Sequence, residues 1–370
     1  DPDELCENLT VAEKQLVEIA KAVVREARIL IMDEPSAALT NQEVDKLHEL
    51  VEDMRRKGIG IVYVTHRLEE VDRLADRAVI MRDGENVGEL GREELERKKI
   101  IELMVGRSMD QEFPAETRNP GEVRLRVNGL TRGKKVRNVS LVVRKGEIVS
   151  LTGLVGSGRT ETVRLLFGAD PRESGTIELD GEILNIRNPR DAIAHGVCLL
   201  TEDRKDQGLV LDLSVLENFS LTNLRRFSKF GWMQKTLEEL SFSKFVKKIG
   251  IKVSSHNQLA KELSGGNQQK VILAKWLERN AEILIFDEPT RGIDVGAKHE
   301  IYQWMNRLAA GGKGILMISS ELPEVLGMSD RIMVMKDGEI VGEVKNDVSI
   351  DQKTLMAMAI GEKLSNEIAS

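Results

Sequence analysis

The sequence predicts an α/β protein built on a parallel sheet, and three observations support that class. Short apolar runs such as Ile148–Leu151 and Ile283–Phe286 end in acidic or polar residues, which is typical of buried parallel strands. Stretches with helical periodicity, such as Gln268–Arg279 and Val295–Ala309, separate these runs. Part of the chain also repeats, so the same class is predicted twice.

The repeat follows a single offset of 254 residues. The segment Ile29–Ser36 (ILIMDEPS) recurs as Ile283–Thr290 (ILIFDEPT), because 287 − 33 = 254 separates the two Asp residues. The stretch Gly121–Glu262 has no upstream counterpart, so the first copy is predicted to lack its front part. Further pairs keep the offset without a gap: Leu9 with Leu263, Val71 with Val325, Asp76 with Asp330, and Asp83–Glu85 with Asp337–Glu339.

This organisation predicts two domains, residues 1–110 and residues 122–370. Residues 111–121 lack periodicity and carry two Pro, which is typical of a linker. Residues from about 205 to 265 are rich in helix formers and show no strand pattern, so we expect a helical subdomain there. A chain of 370 residues is also longer than one hydrophobic core usually supports.

Composition excludes several classes of protein. With 41% hydrophobic and 31% charged residues, the chain reads as globular, and no apolar run approaches the roughly 20 residues of a membrane-spanning helix. Cys6 and Cys198 are too few for a disulfide framework or a zinc site. The net charge of −7 gives no general attraction to nucleic acid or anionic lipid, so no nucleic-acid partner is expected.

A candidate phosphate-binding loop follows the apolar strand Glu147–Leu151. It reads GLVGSGRT, a spacing that lets glycine N–H groups surround a phosphate at a helix N-terminus. Arginine stands where the pattern expects lysine, which keeps the charge but alters the reach. The nucleotide-binding candidates here are Gly153, Gly156, Ser157, Gly158, Arg159, Thr160 and Glu161, and Thr160 is also a candidate magnesium ligand.

Two pairs of carboxylates end the repeated strands, where open parallel sheets present their ligand sites. Asp33 and Asp287 are candidate ligands of Mg²⁺, and Glu34 and Glu288 are candidates for polarising the attacking water. His66 follows another strand, Ile61–Thr65, and is a candidate catalytic residue that could contact a γ-phosphate or that water. Its repeat partner differs, because 66 + 254 = 320 and residue 320 is Ser320.

A further anion-binding candidate is the helix start at Leu263–Lys270, which reads LSGGNQQK. Ser264 is placed as an N-cap, and two glycines allow close approach of the backbone to an anion. The nucleotide-binding candidates of this segment are Ser264, Gly265, Gly266 and Gln268.

The ordered set of phosphate loop, LSGGNQQK, ILIFDEPT and a switch position resembles the ATP-binding-cassette (ABC) ATPases over essentially all 370 residues. The tandem arrangement, with Thr201–Lys205 (TEDRK) and Gly208–Val210 (GLV), resembles the fused double-cassette subunits of bacterial monosaccharide importers. The resemblance implies a P-loop NTPase fold with a parallel core sheet, a helical subdomain and a small antiparallel β subdomain, in two cassettes of which the first is incomplete. It implies ATP and Mg²⁺ as cofactors. It also implies a peripheral location on the cytoplasmic face of the bacterial plasma membrane, with permease subunits, a substrate-binding protein and a second ATPase copy as partners.

The resemblance further implies two unequal ATP sites, each pairing one cassette with the LSGG segment of the other. One site has family-consensus residues, namely Asp33, Glu34 and His66 with Ser264, Gly265, Gly266 and Asp294. The other has Arg159, Ser320, Glu202 in place of the usual glutamine as metal ligand, and Leu9–Glu13 (LTVAE) in place of LSGG. Thr40 stands where the repeat has Asp294. The phosphate loop of the consensus site would lie before Asp1, so this chain alone is expected to be weakly active or inactive.

Alternatives remain open at this point. Similar fused subunits serve importers of nucleosides or signalling sugars, and the cargo does not touch this polypeptide in the family. Soluble tandem cassette proteins that transport nothing form another class, although they usually carry long charged linkers or zinc-binding cysteines. A regulatory nucleotide sensor is a third possibility. Residues Ser214–Phe227 are the candidate for docking a permease helix.

Overall fold

A computed structural model describes residues 4–24, 27–36, 39, 41–65, 67–82, 84–105, 113–114, 118–347 and 349–361. The chain divides into two compact units, residues 1–110 with 294–296, and residues 111–293 with 297–370. Within the described ranges, no helix combines the length and the apolar character that crossing a bilayer requires.

The first unit contains a parallel strand pair and an antiparallel strand pair, each forming a separate two-stranded sheet. Its cores are small. Leu47, Val51 and Met54 recur at helical spacing on its second helix and pack with Met32 and Ile19. Its elements are α1 (Val11–Val24), β1 (Ile29–Asp33), α2 (Asn41–Arg56), β2 (Gly60–Val64), α3 (Leu68–Leu74), β3 (Arg77–Arg82), β4 (Glu85–Gly91) and α4 (Arg97–Val105).

The second unit holds two larger sheets and a group of helices. Its strands are β5 (Val123–Arg132), β6 (Val136–Arg144), β7 (Ile148–Gly153), β8 (Ser174–Leu179), β9 (Glu182–Ile183), β10 (Val197–Leu200), β11 (Ser228–Lys229), β12 (Trp232–Met233), β13 (Ile283–Asp287), β14 (Gly314–Ile318), β15 (Arg331–Lys336) and β16 (Glu339–Lys345). Its helices are α5 (Arg159–Phe167), α6 (Pro189–Ala194), α7 (Val215–Ser220), α8 (Leu224–Phe227), α9 (Lys235–Ile249), α10 (Gly265–Glu278), α11 (Val295–Ala310), α12 (Leu322–Met328) and α13 (Gln352–Ile360).

The main sheet of the second unit has the strand order β10-β13-β14-β7-β15-β16, and all its pairs are parallel except β15–β16. Strands β13 and β14 are buried throughout, which explains their unbroken apolar sequences. A second, antiparallel sheet has the order β6-β5-β8-β9. The parallel core and the antiparallel sheet are therefore as predicted, and the carboxyl ends of β7, β13 and β14 meet at one edge.

The two units repeat the same local geometry at the offset of 254 residues. Strand β1 pairs with β2 in the register that β13 adopts with β14, since Ile29 faces Gly60 and Ile283 faces Gly314. The antiparallel pairs β3–β4 and β15–β16 share even their irregularity, which falls after Ile80 in one and after Val334 in the other. Because 334 − 80 is also 254, the sequence repeat extends to the backbone bend.

Burial is where the two copies differ. In the second unit, β7 lies between β14 and β15, whereas within the described residues no strand joins β2 to β3. Six apolar residues on β1, β2 and β3 are exposed, and all six partners at the offset of 254 are buried. The exposed residues are Ile29, Ile31, Val62, Val64, Val79 and Met81, and their buried partners are Ile283, Ile285, Leu316, Ile318, Met333 and Met335.

Candidate nucleotide site

The phosphate loop leaves β7 and enters α5 through three glycines with positive φ. Gly153, Gly156 and Gly158 have φ values of 151°, 82° and 99°, which favour glycine. A side chain at Gly153 would overlap the carbonyl oxygen of Met335, and one at Gly158 would overlap that of Lys135. A side chain at Gly156 would meet open space, so there the backbone conformation alone demands glycine. The loop thus has the strand, turn and helix context that phosphate binding requires.

Arg159 turns toward the strand ends of the main sheet. Its guanidinium Nη1 donates to the Ser319 carbonyl oxygen at 2.7 Å and lies 3.7 Å from Glu288 Oε1. The side chain is buried, and that burial lowers the pKa of Arg159, although an arginine remains charged at neutral pH. The cation that should serve a phosphate is therefore engaged with a carbonyl and a carboxylate.

Asp287 and Thr160 form the part of the site best suited to a metal ion. The Thr160 hydroxyl donates to Asp287 Oδ1 at 3.3 Å. Burial, reinforced by the charge of Glu288, raises the pKa of Asp287 to about 7, although the Thr160 hydroxyl and the charge of Arg159 offset part of this rise. Its oxygens suit Mg²⁺. Across the described ranges, no group of three or more His, Cys, Asp or Glu is placed to hold a metal ion.

The two glutamates that follow the repeated strands have the same unusual backbone. Glu34 and Glu288 have φ values of 43° and 46°, in the left-handed region that non-glycine residues rarely adopt. Each donates its N–H to the last residue of the neighbouring strand, at 2.9 Å to Val64 and 2.9 Å to Ile318. Burial raises the pKa of Glu288, which also accepts a hydrogen bond from Ser320 Oγ at 3.1 Å. Both glutamates therefore follow their strands with the same strained backbone conformation.

The described residues include most, but not all, of the consensus site predicted from sequence. Asp33 ends β1 and is exposed, as is Glu34. His66 and Thr40 lie outside the described residues. Asp294 is exposed and immediately precedes α11.

In the first unit, the segment Leu9–Glu13, which stands in place of LSGG, caps the start of α1 with its own side chains. Thr10 N and Oγ1 each donate to Glu13 Oε2 at 2.8 Å, and Glu13 N donates to Thr10 Oγ1 at 3.2 Å. This capping box occupies two backbone N–H groups at the helix start, those of Thr10 and Glu13. The hydrogen bonds from Thr10 lower the pKa of Glu13, so an ionised carboxylate stands there. The side chains of Val11 and Ala12 are not among those described.

The corresponding segment of the second unit is more open. Ser264 stands at the N-cap of α10, which begins at Gly265, but its hydroxyl accepts from Asn267 Nδ2 at 3.0 Å instead of capping the backbone. The predicted side-chain cap is therefore absent. Gln268 is buried and donates to the Ala260 carbonyl oxygen at 3.0 Å, so its amide stabilises the unit's interior.

Arg204 and Arg291, to which the sequence analysis assigns no role, connect the TEDRK segment to the start of α10 and to the loop after Glu288. Arg204, in a short π-helical turn, donates to the carbonyl oxygens of Gly265 at 3.3 Å and Gly292 at 3.1 Å. The predicted metal ligand Glu202 forms an ion pair with Arg291. Residues 202–204 are thereby tied both to the start of α10 and to the loop after Glu288. The segment TEDRK, noticed only as part of a resemblance, was the available signal.

Comparison with known proteins indicates the family of this chain. A family model described as "ABC transporter" matches residues 136–291. The chain is 48% identical to the ribose import ATP-binding protein RbsA of Clostridium perfringens strain SM101, over 98% of this chain and 72% of that protein. The RbsA protein of Geobacillus kaustophilus is 46% identical over 98% of this chain and 73% of its own length. A putative ribose/galactose/methyl galactoside import ATP-binding protein of Albidiferax ferrireducens is 48% identical over 95% of this chain and 70% of that protein.

Solved structures support the fold alone. The dimeric structure of MJ0796, a bacterial ABC transporter cassette, matches with a TM-score of 0.53 and 23% identity, covering 60% of this chain and 99% of that one. A nucleotide-free ATP-binding cassette from an ABC transporter matches with a TM-score of 0.55 and 23% identity, covering 63% of this chain and 98% of that one. The relatives that are about 48% identical to this chain also show its family. The chain belongs to the ABC transporter ATPases, in the family of the RbsA-type ribose import ATP-binding proteins.

Proposed function

We propose that this chain is an energy-coupling subunit of a monosaccharide importer, with two tandem cassettes and two unequal ATP sites. The names of the relatives, which refer to ribose and galactose import, support the sugar cargo. The partners would be membrane-embedded permease subunits at the cytoplasmic face of the bacterial plasma membrane, a substrate-binding protein and a second copy of the ATPase. Docking of the permease on residues Ser214–Phe227 remains a prediction.

The placement of Arg159 carries the proposal of unequal sites. Its guanidinium bonds to Ser319 and faces Glu288, which must polarise water if this site is to hydrolyse ATP. Burial still leaves the pKa of Glu288 raised, but the charge of Arg159 stabilises the ionised glutamate and makes it a weaker base than burial alone would. Ser320 replaces the histidine of the other copy and itself bonds to Glu288. We therefore assign nucleotide binding, with little hydrolysis, to the site of the second unit.

The first unit would supply the hydrolytic site once a strand and phosphate loop complete its sheet. Its six exposed apolar residues have partners that are all buried in the second unit, where β7 lies between β14 and β15. A segment equivalent to β7 and α5 would join β2 to β3 and would place a phosphate loop beside Asp33 and Glu34. Asp33 and a loop hydroxyl would then hold Mg²⁺, which would neutralise phosphate charge, while Glu34 orients the attacking water.

Paired substitutions at the repeated glutamates test this proposal. In the assembled transporter, Glu34→Gln should lower ATP turnover by about 100-fold or more, since it removes the general base of the hydrolytic site. Glu288→Gln should leave most of the turnover. The measurement is steady-state phosphate release in membranes or nanodiscs, and equal losses from the two variants would contradict the assignment. ATP binding by each variant serves as the control that the sites still assemble.

A further inference from the structure

A short hairpin in the second unit presents exposed aromatic side chains that the nucleotide site does not use. Strands β11 and β12 pair through Ser228–Met233 and Lys229–Trp232. Phe230 is 92% exposed and Trp232 is 81% exposed, more than any other aromatic residue in the described ranges. At the tip, Phe230 and Gly231 have φ values of 51° and 82°, as in a type I′ turn. Phe230 is thus held in the left-handed region with its ring in solvent, where the Lys229 ammonium lies 5.9 Å from the ring centroid.

The same segment is basic although the chain is acidic. Residues 221–237 contain no Asp or Glu, against a net charge of −7 for the whole chain. Arg225, Lys229 and Lys235 are exposed and form no ion pair within the described part of the chain. Arg226 instead pairs with Glu278 at 3.0 Å. The hairpin tip is thus aromatic and is flanked in sequence by exposed cationic residues, with Glu238 and Glu239 following in α9.

We propose that this hairpin patch, defined as Lys229, Phe230, Trp232, Met233 and Lys235, docks on an anionic lipid surface. Aromatic rings at a water–lipid boundary bury their apolar faces, and Trp is the side chain most suited to that position. Each nearby lysine is attracted by anionic headgroups. The acidity of the rest of the chain does not oppose this contact, because charges beyond a Debye length of about 8 Å are largely screened.

The shape and charge of the patch favour lipid over a protein groove. Phe230 lies in the two-residue turn and Trp232 on the strand that follows it, so the two exposed rings stand at the tip of the hairpin. Basic residues lie on both sides of the tip in sequence, which matches a surface that is anionic throughout. This contact is additional to the permease partnership of the proposed function and does not depend on the cargo or on either ATP site.

Vesicle binding by the purified chain tests the proposal. Vesicles of phosphatidylcholine, with and without phosphatidylglycerol, are titrated while tryptophan emission is recorded. We expect binding only to the phosphatidylglycerol vesicles, with a blue shift that Trp232→Phe abolishes without loss of co-sedimentation. The shift reports on this residue because Trp276 and Trp304 are buried. Brominated lipids should quench the same emission.

Two sets of variants give the expected magnitudes. Replacing both rings, as Phe230→Ser with Trp232→Ser, should weaken partition by about tenfold or more. Lys229→Gln and Lys235→Gln should each weaken it by about fivefold. The matched controls are Ile183→Ser, at an exposed residue of the β8–β9 hairpin, and Arg187→Gln, and both should bind as the unmodified chain does. Circular dichroism melting curves check that the variants fold.

Three outcomes would overturn the proposal. One is equal binding to neutral and anionic vesicles, and another is unchanged partition of the ring and lysine variants. The third is retained vesicle binding together with loss of permease association by the same variants, which would assign the patch to a protein partner. None of these results bears on the ATPase comparison between Glu34 and Glu288, so the two proposals fail separately.

Discussion

Arg159 illustrates how one residue changes the task of a phosphate loop. A lysine at this position would extend a compact, flexible ammonium group toward the phosphates. The planar guanidinium instead reaches the Ser319 carbonyl oxygen at 2.7 Å and stays near Glu288. The loop glycines keep their geometry, so the backbone still suits an anion. The guanidinium of Arg159, however, is already engaged with Ser319 and Glu288.

Arg159→Lys should therefore strengthen nucleotide binding by the second unit. A lysine cannot make the same planar contacts with Ser319 and Glu288, so more of its charge becomes available to phosphate, and we expect affinity to rise by about fivefold. Titration of the purified chain with a fluorescent ATP analogue measures this, because the printed sequence contains one loop of this pattern. Arg164→Lys, at an α5 residue paired with Asp170, is the control. Unchanged or weaker binding by Arg159→Lys would refute this reading.

At the scale of elements, Arg204 links the start of α10 to the loop after Glu288. Its donors reach the carbonyl oxygens of Gly265, where α10 starts, and Gly292, in the loop after Glu288. The ion pair of Glu202 with Arg291 binds the same two regions. As a result, the predicted metal ligand Glu202 has to leave Arg291 before it can serve a magnesium ion.

Arg204→Ala should loosen both regions while the sheet stays intact. The loss of two hydrogen bonds from a charged group is expected to cost about 1.5–3 kcal/mol. Hydrogen exchange should accelerate at residues 265–268 and 289–293 but not in β10. Arg187→Ala, at an exposed arginine away from these loops, serves as the control. Uniform acceleration across the second unit would instead indicate a general loss of stability, and the link would be disproved.

Sequence periodicity succeeded for elements whose whole length is buried and failed for contacts between them. Strand β13 was predicted because both of its faces are apolar. The hairpin β11–β12 was missed, because two-residue strands leave no alternating pattern. The inward turn of Gln268 and the bond from Arg159 to Ser319 depend on tertiary neighbours that no local spacing reveals. The left-handed φ of Glu34 and Glu288 likewise appears only in three dimensions.

At the scale of the whole molecule, the two copies of the repeat share their strand pairing but differ in which side chains are buried. The registers and the strand bend agree at every paired position, so the local sequence encodes them in both copies. Burial does not agree, because it depends on which neighbours are present. Ile31 is 70% exposed, whereas Ile285, at the same place in the repeat, is fully buried. The stability of the first unit should accordingly depend on a segment that covers this face.

Matched substitutions at these two isoleucines measure that dependence. Ile285→Ala should cost about 2–5 kcal/mol, since it leaves a cavity in a packed core. Ile31→Ala should stay within about 0.5 kcal/mol, because the side chain already meets water. Exchange rates of β1 and β13 in the two variants give both values. If a polypeptide equivalent to β7 and α5 completes the first sheet, adding it should slow exchange in β1 and bring the cost of Ile31→Ala close to that of Ile285→Ala. A cost that stays near zero with that polypeptide bound would mean that the exposed face is not where it docks.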